Sequence, residues 1–397
     1  MARHVQFSAV RGATGFSRGT HAGTVVDDAE RLRPTRADEA DSSVSVSVST
    51  SPSRWSSDAV EVPFPSTEAI LSWHAITPPG TWIELELSAR NAGGWTDWFV
   101  LARWTERDDA ARGIRRTTVS GQRGADASVH ADTFVAAEGR AFTAYRLRVT
   151  FARGDDVEAD ASLVMVGAMV SAIDDSTPEP EHDGADRGGA RGIALDVPRF
   201  SQQLHRGAQV ELGGGGEAWC SPTSTAMVLG FWDRLPSGEA LVGIEAPNGD
   251  PEVVWAAAGC YDHDYAGTGN WSFNAAFAAR NGIESFVTRL RSLDEAERFI
   301  AAGIPLVASV GFTRDELPEA GYVTEGHLLV IAGFTVDGDV VVNDPAAPEK
   351  AAVRRSYPRG AFERAWVRST GGSGGVVYVM RPADVPLPAA PGEERSW

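Results

Sequence analysis

Three side chains far apart in the chain, Cys220, His327 and Asp344, have the types that thiol-based nucleophilic chemistry requires. A thiol attacks a carbonyl only as its thiolate, so such a cysteine needs a setting that lowers its pKa and a base within reach. The run Trp219-Cys220-Ser221-Pro222-Thr223-Ser224-Thr225-Ala226-Met227-Val228 supplies the setting. Pro222 suits the first turn of a helix, and Met227, Val228, Phe231 and Trp232 give an apolar helical face behind it. Cys220 thus stands at a predicted helix start, where unpaired N–H groups and the positive end of the helix dipole favour an anion. Free cysteine is also a common core residue, and only the company of a suitable histidine and aspartate turns the reading toward chemistry.

The elements that must position the base and its orienter form a hairpin. Asp337-Gly338 between two apolar runs predicts a primed turn, laying Gly326-His327-Leu328-Leu329-Val330-Ile331 beside Val340-Val341-Val342-Asn343-Asp344. An ideal register would set Asp344 opposite Ile331 rather than His327. Their pairing requires strong twist, a bulge, or an Asp344 that already belongs to the following loop, a choice that Pro345 favours.

Together with Val197-Pro198-Arg199-Phe200-Ser201-Gln202, these motifs resemble the papain-like cysteine peptidases related to bacteriocin-leader-processing peptidases, over roughly residues 197–380. The resemblance implies that Cys220 is the nucleophile that forms a thioester and His327 the base that takes the thiol proton and returns it to the leaving amine. It further implies that Asp344 fixes the imidazole tautomer, and that the Gln202 amide joins the Cys220 backbone N–H in binding the oxyanion. Gln203, next to Gln202, stays open for that last role. No cofactor and no metal is expected.

The chain departs from the family pattern in two places. Ser221 stands where a glycine usually follows the nucleophile and adds bulk beside the sulfur. Gly213-Gly214-Gly215-Gly216 lengthens the connection to Cys220; without a preceding strand or a lysine it reads as a flexible rim loop, not a phosphate loop. Gly267 to Asn274 also resembles the family, which would put Trp271 near the substrate cleft; a core-anchoring tryptophan is the competing reading.

At 397 residues two domains are expected. Residues 1–172 read as an all-β sandwich of jelly-roll type. Ile83-Glu84-Leu85-Glu86-Leu87 and Tyr145-Arg146-Leu147-Arg148-Val149 alternate, Trp98 to Trp104 is rich in aromatics, and Pro78-Pro79-Gly80 and Asn91-Ala92-Gly93-Gly94 mark breaks. Ser43 to Ser49 alternates strictly and is assigned to the sandwich as a strand or hairpin, although its Ser-rich surroundings suit a loop equally. Residues 173–195 form an acidic, Pro/Gly-rich linker with too little apolar surface to order itself.

Residues 196–382 read as an α+β papain-like domain with an antiparallel sheet. Its helices are expected from Cys220, over 271–281 and over 294–302 behind a Ser292 N-cap, and its strands over 305–310, 327–334, 339–343 and 375–380. Residues 383–397 read as a surface tail.

Composition narrows the partners. A hydrophobic share of 43% with 23% charged residues is that of an ordinary globular chain. The net charge of −18 repels phosphate backbones and anionic lipid, so neither nucleic acid nor membrane is expected, and a peptide or protein substrate is. No apolar run approaches the ~18 residues of a membrane span, and the first residues lack an export signal, which makes the cytoplasm the default with export left open.

Cys220 and Cys260 lie in no CxxC or zinc spacing, and a bridge between them would disarm the nucleophile. Asp262-His263-Asp264 cannot share one face around a metal and reads as a solvated loop, and His205 as a loop residue. The sequon Asn270-Trp271-Ser272 matters only after export. Trp73, Trp82, Trp95, Trp98 and Trp104 could stack on sugars, though most aromatic residues of sandwiches are core. A carbohydrate ligand for the N-terminal domain rests on analogy with sandwiches fused to hydrolases.

The expected function is a thiol-dependent hydrolase of peptide or other amide bonds. Its rivals are a polysaccharide- or cell-surface-binding protein with a relic peptidase domain, and a thiol acyltransferase using the same triad.

Overall fold

The computed structural model describes residues 2–36, 52–174, 189–368, 373–392 and 394–397. The Ser43 to Ser49 stretch and most of the expected linker lie outside the described residues. The chain divides into two compact units, one of Ser8–Ala172 with Asp262–Tyr265, the other of Met1–Phe7, Ile173–Tyr261 and Ala266–Trp397.

The N-terminal unit is built from two seven-stranded antiparallel sheets. In one, Thr81–Asn91 pairs with Phe142–Arg153 over ten positions, and Phe99–Trp104 flanks it. Alternation decides the faces: Ile83, Leu85, Leu87 and Ala89 are buried while Trp82, Glu84 and Arg90 point the other way. In the second sheet Glu68–Ile76 pairs with Ser162–Asp174. Rings from both sheets meet between them, Phe99 on Phe134 at 5.4 Å and Trp73 on Trp104 at 5.8 Å. Trp73 and Trp104 are therefore core residues, whereas Trp95 and Trp98 lie on the outer face beneath guanidinium groups, Arg146 over both and Arg148 over Trp98.

The Asp262-His263-Asp264 segment is solvated only in part, at His263 and Asp264. Asp262 is fully buried and accepts both the Thr118 N–H and its hydroxyl at 2.9 Å, while His263 meets Asp108 and Asp264 accepts from Ser120. Residues 144 positions away supply the hydrogen bonds that make burial of the carboxylate tolerable.

The C-terminal unit is organised on a six-stranded antiparallel sheet in the order Glu284–Arg289, Val376–Arg381, Leu306–Phe312, Thr324–Phe334, Val340–Asn343, Arg354–Tyr357. Leu329, Ile331, Val340, Val342, Val377 and Val379 pack with Leu293, Phe299, Phe362 and Trp366 in one core. Helices run over Cys220–Phe231, Trp271–Arg280 and Leu293–Ala301, close to the expected spans.

An unexpected helix covers Pro251–Cys260. Most of its residues are buried, so it lacks the one-sided apolar period by which a surface helix is recognised. Gly259 lets it approach its neighbour, because a Cβ there would fall 2.0 Å from the Phe277 ring. Nor is the C-terminal segment a loose extension: Trp397 packs on Phe299 at 4.7 Å and Ser396 is buried. Among the described residues no helix is long and apolar enough to cross a membrane.

Candidate active site

Cys220 is the first residue of its helix and half-buried, as the Pro222 signal requires. One turn on, the Ser224 hydroxyl donates to the Leu328 carbonyl at 3.1 Å. Residues four apart share a helix face, so this bond docks the face carrying Cys220 against the strand residue next to His327. The thiol and the His327 ring lie close enough for each to shift the ionisation of the other. His327 Nε2 lies 2.9 Å from Asp344 Oδ1, which leaves Nδ1 for the sulfur. Three elements, at 220, 327 and 344, thus converge on one imidazole.

The hairpin reaches this geometry by two of the routes open to it. Strand pairing runs Phe334↔Val340, Gly333↔Val341, Ile331↔Val342 and Val330↔Asn343, with a bulge at Ala332 that advances the register by one. The strand ends at Asn343, so Asp344 already belongs to the loop. Gly338 at the turn has φ +96°, a backbone conformation open to glycine.

Asp344 is fully buried and unusually well supplied with donors. Besides His327 it receives the Tyr322 hydroxyl at 2.9 Å, the Tyr357 hydroxyl at 2.8 Å and the Ala346 N–H at 2.9 Å, with Arg355 3.9 Å away. Burial alone would raise its pKa; the His327 charge and these hydrogen bonds outweigh it and hold the carboxyl well below the usual carboxylate range. Burial likewise disfavours a charged His327, but Asp344 and the thiol push its pKa up to about 10. For Cys220, burial raises the pKa while His327 and the N–H groups of Leu328 and Ser221 lower it, and the net direction is down. Burial and the adjacent carboxylate keep Tyr322 and Tyr357 protonated, which is the state in which they donate.

Tyr322 and Tyr357 are absent from the sequence reading. Tyr357 ends a four-residue strand and Tyr322 sits in a loop before the His327 strand, where its ring packs edge-on to the imidazole at 5.6 Å. Tyr357 pairs with Val340, the first residue of the strand that leads to Asp344 and the end remote from it, so its place in the chain does not single it out as a partner of the carboxylate. Tyr322 carried no sequence signal either.

Gln202 is buried, and its amide nitrogen donates to the carbonyl of Glu217, three residues before Cys220. Its backbone N–H donates to Pro345, directly after Asp344, at 3.0 Å. The preceding Val197 and Pro198 carbonyls accept from Asn343 at 3.1 and 2.9 Å, so the segment is tied to the Asp344 loop along its length. The Gln202 side-chain oxygen is buried without a hydrogen-bond partner among the described residues. Gln203 is less buried than Gln202.

Ser221 turns away into the core, its hydroxyl 2.8 Å from Tyr378. The glycine run is a tight connector rather than an open rim: Gly213, Gly214 and Gly215 have positive φ, and a Cβ on Gly216 would lie 2.2 Å from the His205 carbonyl oxygen. His205 itself is buried against Trp219, with ring centroids 6.0 Å apart. Trp271 is half-buried at the start of its helix. Cys220 and Cys260 are not bridged, and no group of three or more His, Cys, Asp or Glu among the described residues is placed to hold a metal.

Comparisons with known proteins divide the chain at the same place. Residues 6–171 match the Peptidase C39 N-terminal domain and residues 194–373 the Peptidase C39-like family. No curated protein matches the chain. Among solved structures it is similar to a double glycine motif protease from an AMS/PCAT transporter in complex with its leader peptide, at 17% identity over 49% of this chain and 96% of that one, TM-score 0.30. It is also similar to a protein described as a C39-like peptidase from Bacillus anthracis, at 18% identity over 48% of this chain and 96% of that one, TM-score 0.29.

Proposed function

We propose, from the premise that the C-terminal half of the chain is a cysteine peptidase domain of the C39-like family, that it cleaves peptide bonds through Cys220, His327 and Asp344 by way of a thioester. The observation that carries the reading is the meeting of these three side chains from remote elements, with the thiol pKa lowered and the imidazole pKa raised. The resting state is then a thiolate beside an imidazolium. The Cys220 sulfur attacks the scissile carbonyl carbon, and the negative charge moves onto the carbonyl oxygen. As the C–N bond breaks, the His327 proton passes to the leaving amine. Neutral His327 next takes a proton from water, whose oxygen attacks the thioester; Cys220 leaves as thiolate and the acid product departs.

Charge on the oxygen is offset by the Cys220 backbone N–H at the helix start and by the second N–H of the Gln202 amide, the first being occupied by Glu217. Asp344 acts through His327, fixing its tautomer and stabilising its charge.

The same reading gives the C-terminal unit a papain-like plan, in which the nucleophile helix is docked on the sheet strand that carries the base. It gives the N-terminal unit a jelly-roll-like sandwich, supported by the ring contacts between its two sheets. The test of function is digestion of a peptide library by the wild type beside Cys220→Ala. Cleavage products confined to the wild type are expected; identical digests from both proteins contradict the proposal.

A further inference from the structure

The N-terminal unit carries a cleft of about 640 Å³ on the outer face of the sheet formed by Thr81–Asn91, Phe142–Arg153 and Phe99–Trp104. That volume lies within the range of ligand sites, ~300–1,000 Å³. Trp82 is part of its lining, and its cross-strand neighbour is Ala152, a side chain too small to cover an indole face. The contrast with the rest of this face is informative. Trp95 lies beneath Arg90 and Arg146, and Trp98 beneath Arg146 and Arg148, so both are already stacked. Trp82 has neither a ring contact, a guanidinium, nor an acceptor for its indole N–H among the described residues.

The charges around Trp82 are unequally committed. Glu84 is held by Arg103 at 2.8 Å, Asp264 by Ser120, and Arg112 by Asp109 and Asp156 at 2.6 Å each. Arg115, also in the lining, is exposed and has no partner among the described residues. What the cleft leaves unsatisfied is therefore one flat aromatic face and one guanidinium, surrounded by planar ion pairs with spare N–H donors.

From these observations we infer that the cleft is a binding site for a carboxylate-bearing saccharide. A pyranose ring offers partly positive C–H groups to the electron-rich face of an indole. Its hydroxyls accept from guanidinium N–H groups such as those of Arg103 and donate to carboxylates such as that of Glu84, and a uronate carboxylate completes Arg115 in a charge-assisted, two-pronged bond. An aromatic peptide side chain would need an enclosed apolar pocket, and the polar lining does not provide one. A nucleic-acid strand also offers rings and anions, but one uncommitted arginine on a chain of net charge −18 does not hold a polyphosphate. The site is independent of Cys220.

Titration calorimetry on the full chain tests this with hexagalacturonate, a hyaluronan hexasaccharide and a mannuronate hexamer, against cellohexaose, an oligoglutamate peptide and oligo-dT. Saturable binding of at least one carboxylated saccharide is expected, tighter than that of cellohexaose. Trp82→Ala and Arg115→Ala should each weaken it by at least about tenfold, and Trp95→Ala should leave it unchanged. Absence of saturable binding by all three, binding unaffected in both cleft variants, cellohexaose bound as tightly, or preference for oligoglutamate or oligo-dT would each overturn the assignment.

Discussion

The chain's two thiols sit at opposite ends of two helices. Cys220 opens Cys220–Phe231 and is half-buried; Cys260 closes Pro251–Cys260 and is fully buried. A helix start presents N–H groups and positive potential, whereas a helix end presents carbonyl oxygens that disfavour an anion. Helix polarity is only the first difference. Cys220 also faces an imidazole whose proton is held by a buried carboxylate, while Cys260 is fully buried. On the proposed reading, the same residue type differs in reactivity with the backbone groups that surround it and with the base that folding brings to Cys220.

Removing what separates the two thiols should have the largest effect. Asp344→Asn takes away the charge that lifts the His327 pKa, and kcat/KM for peptide cleavage is expected to fall by as much as about 10⁴-fold, the size of the equivalent loss in a serine triad. The pH profile supplies the sign. Activity needs the thiolate and the imidazolium together, so the wild-type profile rises as Cys220 ionises below the ordinary thiol range and falls as His327 loses its proton near pH 10. In the variant the alkaline limb should move down and the acid limb up, narrowing the plateau from both sides. A profile of unchanged width would break the comparison.

A smaller loss is expected from Gln202→Ala, about 10²- to 10³-fold in kcat with little change in KM, while Gln203→Ala should stay near wild type. The reverse order would move the oxyanion role to Gln203. The smallest effects belong to Tyr322→Phe and Tyr357→Phe, each of which removes one hydrogen bond to Asp344 Oδ2. Each should lower kcat/KM by roughly tenfold, the equivalent of about 1.4 kcal/mol, with a shift of the alkaline limb that a merely structural role would not produce.

How much of this was legible follows from what each residue's role depends on. The Cys220 helix was readable because Pro222 and the apolar residues behind it are local signals, and the His327 hairpin because Asp337-Gly338 dictates its own turn. The join between His327 and Asp344 was readable only as a set of options, since a bulge at Ala332 has no sequence signature of its own. The helix Pro251–Cys260 was missed because burial on most sides erases its period. Tyr322 and the burial of Asp262 were missed because each rests on partners brought by tertiary folding, at separations of 22 and 144 residues. In the N-terminal unit, alternation gave the strands but not which of five tryptophans remain exposed.

The most direct test of the central claim is the pH dependence of iodoacetamide alkylation, resolved at Cys220 and Cys260 by peptide mapping of native protein. Cys220 should react at least about a hundredfold faster than Cys260 at pH 7, with its rate already on a plateau below the ordinary thiol range, and His327→Ala should remove most of that advantage. Equal rates at the two cysteines, or a Cys220 rate indifferent to the loss of His327, would contradict the account.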